Sequence, residues 1–210
     1  MDIQRAKPTP RVVSAADPEA LTSIFLDDVN LAIWERELSE EIEGFANEFA
    51  ETSNEQDYFL IVEGSKPVGN LLPNWATQLT GYNQWQEDLE SVVEMYRCLF
   101  EPAAVGVRLH VLRSTMCPRF HVDRVPARLL VTYAGRGTEW LPEETLNRTL
   151  GSARLPDQTA GEGAVREIPK GAISILKGTA WEGNEDQAIA HRSPDPRSKP
   201  RLVLGLDWVA

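Results

Sequence analysis

The chain is poor in the residues that would make its chemistry easy to place. It has only two cysteines, Cys98 and Cys117, in 210 residues. Two thiols do not make a disulfide framework, and a reduced, cytoplasmic setting is the expectation. No apolar run approaches the roughly 18 residues that a membrane helix needs, so no membrane role is expected. The opening "MDIQRAKPTPRVVSAADPEA" lacks an apolar signal core, and secretion is not expected either. No P-loop, dinucleotide fingerprint or nucleophile elbow occurs. Only three histidines are present, His110, His121 and His191, so any histidine-based metal site draws on a short list.

What is present is acid, and it is unevenly spread. The net charge is −11. Residues 1–100 carry 19 acidic and 6 basic side chains, and residues 101–210 carry 13 and 15. The acidic half argues against a nucleic-acid wrapper. The basic residues of the second half gather around the later histidines: Arg113, Arg119, Arg124 and Arg128, then Arg192 and Arg201. Such a field suits an anionic ligand, either a small molecule or an acidic peptide, although single surface charges are usually only solvated.

The periodicity changes near Pro102. Before it, "DPEALTSIFLDD" opens with an N-cap signal at Asp17 and Pro18. "NLAIWERELSEEIEGFANEFAET" keeps Leu31, Ile33, Trp34, Leu38, Ile42, Phe45 and Phe49 at helical spacing, and "QEDLESVVEMYRCLF" does the same. "DYFLIVEG" reads as a strand or a buried helical turn. After Pro102 come eight short strand candidates, punctuated by Gly, Pro and Asn: "VGVRLHVLRS", "FHVDR", "ARLLVTY", "TEWL", "AVREI", "AISIL", "QAIAH" and "RLVLGLDWV". The expectation is an α+β protein. A mainly helical N-terminal layer over residues 1–104 would cover a jelly-roll core over 105–210, the two forming one compact unit.

The chemistry concentrates in "CPRFHVDRV". His121 and Asp123 are spaced two apart, which on a strand places both on one face. His110 sits between Leu109 and Val111 with no partner signal, and reads as a packed or surface strand histidine. His191 ends "QAIAH". Two histidines and one carboxylate with open positions form the facial triad of non-haem iron oxygenases, whereas polar residues on an ordinary β-surface are the bland alternative. Cys117 adds a second metal reading: Cys117, His121, Asp123 and His191 would make an acceptable zinc set for a non-catalytic metal-binding or metal-homeostasis protein. Arg201 opens the last strand, where its rigid fork would suit a carboxylate. Cys117, Arg113, Tyr133 and Trp140 are candidates for lining the same pocket, with Tyr133 and Trp140 alternatively packing the barrel. Arg113 and Arg128 lie on strands whose pattern does not say whether they face the pocket or solvent. Gly135 and Gly137 read as a hairpin turn.

The order His121-x-Asp123, His191, Arg201 over residues 105–209 resembles the 2-oxoglutarate/Fe(II)-dependent dioxygenase superfamily. "CPRFHVDRVPARLLVTYAGRGTEWLP" is also similar to an uncharacterised bacterial family, domain of unknown function 1826, across most of the chain. The first resemblance implies a double-stranded β-helix. It also implies Fe(II) on His121, Asp123 and His191, 2-oxoglutarate held at its far carboxylate by Arg201, and hydroxylation of a substrate. The second implies no activity.

Overall fold

The computed structural model describes residues 8–148, 155–158, 161 and 163–209. Among these, ten strands lie in two sheets. They are β1 (Arg11–Ala15), β2 (Val29–Trp34), β3 (Gln56–Glu63), β4 (Ala104–Leu112), β5 (Ala127–Ala134), β6 (Glu139–Trp140), β7 (Arg166–Glu167), β8 (Ile173–Lys177), β9 (His191–Arg192) and β10 (Arg201–Val209). Two α-helices, α1 (Glu40–Thr52) and α2 (Tyr82–Phe100), and three short 3-10 helices complete the described elements.

The larger sheet runs β1-β2-β8-β5-β10-β4-β3, and the smaller runs β7-β6-β9. An antiparallel bridge from His121 to His191 extends the smaller sheet beyond β9. Along the chain from β4, the segments fall alternately into the large sheet, the small one, the large, the small twice, the large, the small and the large. The central order β8-β5-β10-β4 faces β7-β6-β9 and the His121 bridge. This is the double-stranded β-helix, an α+β fold with helices on the outer face of its large sheet.

Strand alternation assigns the two faces. Leu202, Leu204 and Leu206 of β10 join Val105, Val107 and Leu109 of β4 and Leu129, Val131 and Tyr133 of β5 in the main core. The helices close that core with Phe45 and Phe49 from α1 and Trp85, Leu89, Val92 and Tyr96 from α2. Between the sheets, Leu31, Ile33, Ile168, Leu176 and Ile189 form a second, small apolar cluster. It fills the β2–β8 side, while the β10–β4 side is left open as a cavity.

Several sequence expectations need correction. Helical spacing through Leu31, Ile33 and Trp34 does not make a helix there. Val29–Trp34 is β2, inserted between β1 and β8 and buried along nearly its whole length. A strand buried on both faces has no polar alternation, so its apolar run mimics a helix. The helix begins only after Ser39, whose hydroxyl accepts from the Ile42 amide at 3.3 Å, with Glu40, Glu41 and Glu43 in the first turn. The first half therefore supplies three strands of the large sheet as well as both helices. Asp17 caps its segment as expected, but that segment is a 3-10 helix, Pro18–Phe25. "FHVDR" is no strand: His121 makes a single bridge and Asp123 lies in irregular chain. Gly135 and Gly137 do not close a hairpin, because β5 and β6 belong to different sheets. Gly135 takes φ +78, and a Cβ there would meet the Pro200 carbonyl at 2.7 Å, so this crossing presses against the start of β10.

Candidate metal centre and cavity

The two histidines are brought together by backbone pairing. His121 N–H donates to the His191 carbonyl and His191 N–H to the His121 carbonyl, both at 3.0 Å. The ring centroids lie 4.5 Å apart. His121 Nδ1 is 3.1 Å from the Arg119 carbonyl, and His191 Nδ1 is 3.3 Å from the Ile189 carbonyl. An Nδ1–H donated to each carbonyl leaves Nε2 as the free ligand atom. Nε2 of His191 is 3.6 Å from Asp123 Oδ2, and Nε2 of His121 is 3.9 Å from Asp123 Oδ1. One ligand atom from each of the three residues lies within 4.8 Å of the others. Among the described residues this is the cluster able to hold a metal, and Cys117 is not part of it.

Asp123 does not stand alone. Arg128 donates from Nη1 to Asp123 Oδ2 at 2.9 Å and holds Asp207 with Nε and Nη2, at 2.7 and 3.1 Å. Burial would lower the Arg128 pKa, but the Asp207 and Asp123 carboxylates outweigh it and raise it. Burial is the largest influence on His191 and pushes its pKa down to about 4, against the opposing pull of Asp123. A neutral imidazole is the form that ligates a metal.

A cavity of about 370 Å³ opens beside this cluster, bounded by His121, His191 and Arg128. Arg201 lies on its wall and is 2% exposed. Its guanidinium donates from Nε to the Arg136 carbonyl at 2.5 Å and from Nη1 to Ser193 Oγ at 2.7 Å. Nη2 donates to Thr138 Oγ1 at 3.4 Å. Among the described residues no carboxylate pairs with it, and burial pulls its pKa down to about 10. A buried cation held by neutral acceptors is costly until an anion joins it. Ser193, which anchors it, stands two residues beyond His191, so the unpaired cation sits close to the histidine cluster.

Cys117 lines this cavity, and its carbonyl accepts from the Ser193 amide at 3.1 Å, but its thiol stays outside the metal cluster. The other pocket candidates do not reach the cavity. Arg113 caps the C-terminal carbonyls of α1, donating to Ser53 at 2.7 Å and Glu51 at 2.6 Å. Tyr133 lies on the helix face of β5 and donates to Asp88 Oδ2 at 2.7 Å. Asp88 in turn grips Arg36. Trp140 packs on the apolar fill between the sheets. Face assignment separates these from Arg128: alternation turns Tyr133 toward the helices and Arg128 toward the cavity.

Sequence reasoning missed His110. It lines the cavity and bonds Asp57 Oδ1 through Nδ1 at 2.5 Å. The signal available was parity: residues 108, 110 and 112 of β4 share one face. Thr138 and Ser193, the acceptors for Arg201, left no such signal.

A family model described as a protein of unknown function, DUF1826, matches residues 15–207. The chain belongs to this family. Among solved structures it is similar to a prolyl-4-hydroxylase of Pseudomonas putida, at 8% identity and TM-score 0.47, covering 91% of this chain and 98% of that one. It is similar also to a dioxygenase for auxin oxidation from rice, at 12% identity and TM-score 0.48, covering 96% and 83%. A dioxygenase for auxin oxidation from Arabidopsis thaliana, in its 2-oxoglutarate complex, is a third, at 8% identity and TM-score 0.44, covering 96% and 92%. No curated protein matches the chain. Its own strand order establishes the DUF1826 chain as a double-stranded β-helix. Among the described residues no helix is long and apolar enough to cross a membrane.

Proposed function

We propose that this DUF1826 protein is a non-haem Fe(II), 2-oxoglutarate-dependent oxygenase that hydroxylates an anionic small molecule or peptide. The observation that carries the reading is the pairing of two features on one cavity. A two-histidine, one-carboxylate cluster stands beside a buried arginine that, among the described residues, has no carboxylate partner.

The donor set fits iron. Two imidazoles and one carboxylate are the ligands of the facial triad and leave other positions open for small ligands. His121, Asp123 and His191 would hold the ion, which when bound supplies the oxidation of substrate by dioxygen at the expense of 2-oxoglutarate. The protein's own residues do the rest. The carbonyls of Arg119 and Ile189 fix the imidazole tautomers. Arg128 holds Asp123 against rotation by gripping Asp207 on β10. Arg201 would pair with the far carboxylate of 2-oxoglutarate, and burial strengthens that pair by excluding water. Ser193 and Thr138 aim its fork.

The test is anaerobic calorimetry. Mn(II), a non-oxidising stand-in, should bind once per chain, and 2-oxoglutarate should then bind to the loaded protein. Aerobic incubation with Fe(II) and 2-oxoglutarate should yield succinate. Stoichiometric zinc that is lost on Cys117→Ser, with no 2-oxoglutarate binding, would replace this reading with a zinc-holding protein.

A further inference from the structure

Four arginines line the cavity, and two of them are neutralised. Arg128 is held by Asp123 and Asp207, and Arg192 by Glu139 at 2.6 Å. Arg201 has, among the described residues, no carboxylate partner, but it is buried. The fourth, Arg108 on β4, is exposed, and among the described residues it has no carboxylate partner. It is nonetheless placed: its guanidinium carbon lies 4.8 Å from the centre of the Phe59 ring on the neighbouring strand β3. Phe59 is itself half exposed, at 52%.

The register locates Arg108 within the cavity. It stands opposite Gly205 of β10, and Gly205 stands opposite Leu130 of β5. The next row on the same face contains Asp207 and Arg128, the pair that reaches Asp123. Arg201 is four residues away along β10, about 13 Å at the strand rise. These two arginines therefore serve different ends of the cavity. Gly205 leaves the floor low between them: a Cβ there would touch nothing nearer than Leu130 Cδ2 at 3.6 Å. Leu130 and Val203 give that floor apolar walls.

We infer that Arg108 is the anchor for the substrate's anionic group. The substrate would be a carboxylate or phosphate on an apolar body, with that body lying over Gly205 and against Leu130, toward Asp123. This rests on the oxygenase reading only in calling the molecule a substrate; the binding site stands on Arg108, Phe59 and Gly205. A guanidinium stacked on an aromatic ring keeps its N–H fork free for an oxyanion and loses little freedom when one binds.

Binding is read directly, by calorimetry on the full chain, with and without Mn(II) and 2-oxoglutarate. The probes are octanoate, octyl phosphate and octanamide. Both anions should bind, and the uncharged amide should bind about tenfold or more weakly. Arg108→Gln should reduce the anions to the affinity of the amide in saturating 2-oxoglutarate, and should weaken them in its absence. Gly205→Val, which fills the floor without altering charge, should weaken all three probes alike. Equal binding of octanoate and octanamide, no binding of either anion, or anion binding that Arg108→Gln leaves unchanged overturns the inference. Failure of 2-oxoglutarate to bind would overturn the oxygenase reading instead, and the octanoate titration in its absence still decides the role of Arg108.

Discussion

His121 and His191 exchange a reciprocal pair of backbone hydrogen bonds, each 3.0 Å long, across seventy positions of sequence. The same pairing that extends the small sheet thus sets the spacing of the two imidazoles. Asp123, two residues past the bridge, needs no strand to reach them. Its orientation comes from Arg128 across the cavity wall, at 2.9 Å.

Loss of Asp123 and loss of Cys117 should be separable. Asp123→Ala removes the one anionic donor of the cluster and should abolish stoichiometric Mn(II) or Fe(II) binding. Cys117→Ser should leave binding nearly intact, because the thiol lies outside the cluster. Anaerobic metal titration of both variants checks this.

Arg201 should act on 2-oxoglutarate and not on the metal. A charge-assisted bidentate contact contributes roughly 1.5–3 kcal/mol, about ten- to a hundredfold in affinity. Arg201→Ala should weaken 2-oxoglutarate by that factor with Mn(II) affinity unchanged. Arg201→Lys should recover only part of it, because an ammonium lacks the planar fork. Equal affinities for wild type and Arg201→Ala would remove this role.

Arg128→Leu should have a double effect. It strips Asp123 of its orienting partner and leaves Asp207, with a side chain 21% exposed, uncompensated. Metal affinity should fall about 10- to 100-fold, the usual result of losing a group that orients a ligand. Unfolding in urea should show a loss of about 1–2 kcal/mol, the scale of hydrogen bonds to a charged group in a half-buried pair. An unchanged metal affinity would mean that Asp123 is positioned without Arg128.

Tyr133→Phe is the control from the opposite face of the same strand. It removes the hydroxyl bonded to Asp88 and should cost about 1 kcal/mol of stability. Metal and 2-oxoglutarate binding should not change. A change in either would place Tyr133 in the site after all.

The metal-free protein should lose stability in mild acid through His191. Its folded pKa is pushed down to about 4, while an unfolded imidazole titrates near 6.5. Between these values the unfolded chain binds the extra proton, so stability falls as pH drops from about 6.5 toward 4, and this contribution is flat above that window. Bound metal should resist the loss until protons displace it. Denaturant unfolding at about pH 7 and about pH 5, for wild type and His191→Asn, isolates the effect. An identical pH slope in the two proteins would count against it.

The sequence by itself named the few residues from which a metal cluster could be built, and it marked much of the fold. With three histidines and a short spacing of His121 to Asp123, few metal sites were available. The β-rich grammar after Pro102 overlapped each strand from β4 to β10, β9 only at His191, because β-branched and apolar runs there are short and interrupted by turn residues; it also marked "FHVDR", which makes only a single bridge. Parity along β4 and β5 could sort residues between two faces, but it could not say which face met the helices. That was decided by where α1 and α2 pack, and it sent Tyr133 to the core and Arg128 to the cavity. The strand nature of Val29–Trp34 was equally out of reach, since burial on both faces erases the period that distinguishes strand from helix. Only tertiary structure brought Ser193 and Thr138 to Arg201 and left that guanidinium without a carboxylate among the described residues. Contacts between residues far apart in the chain, such as Arg201 to Thr138, depend on sheet register, and no local pattern records register.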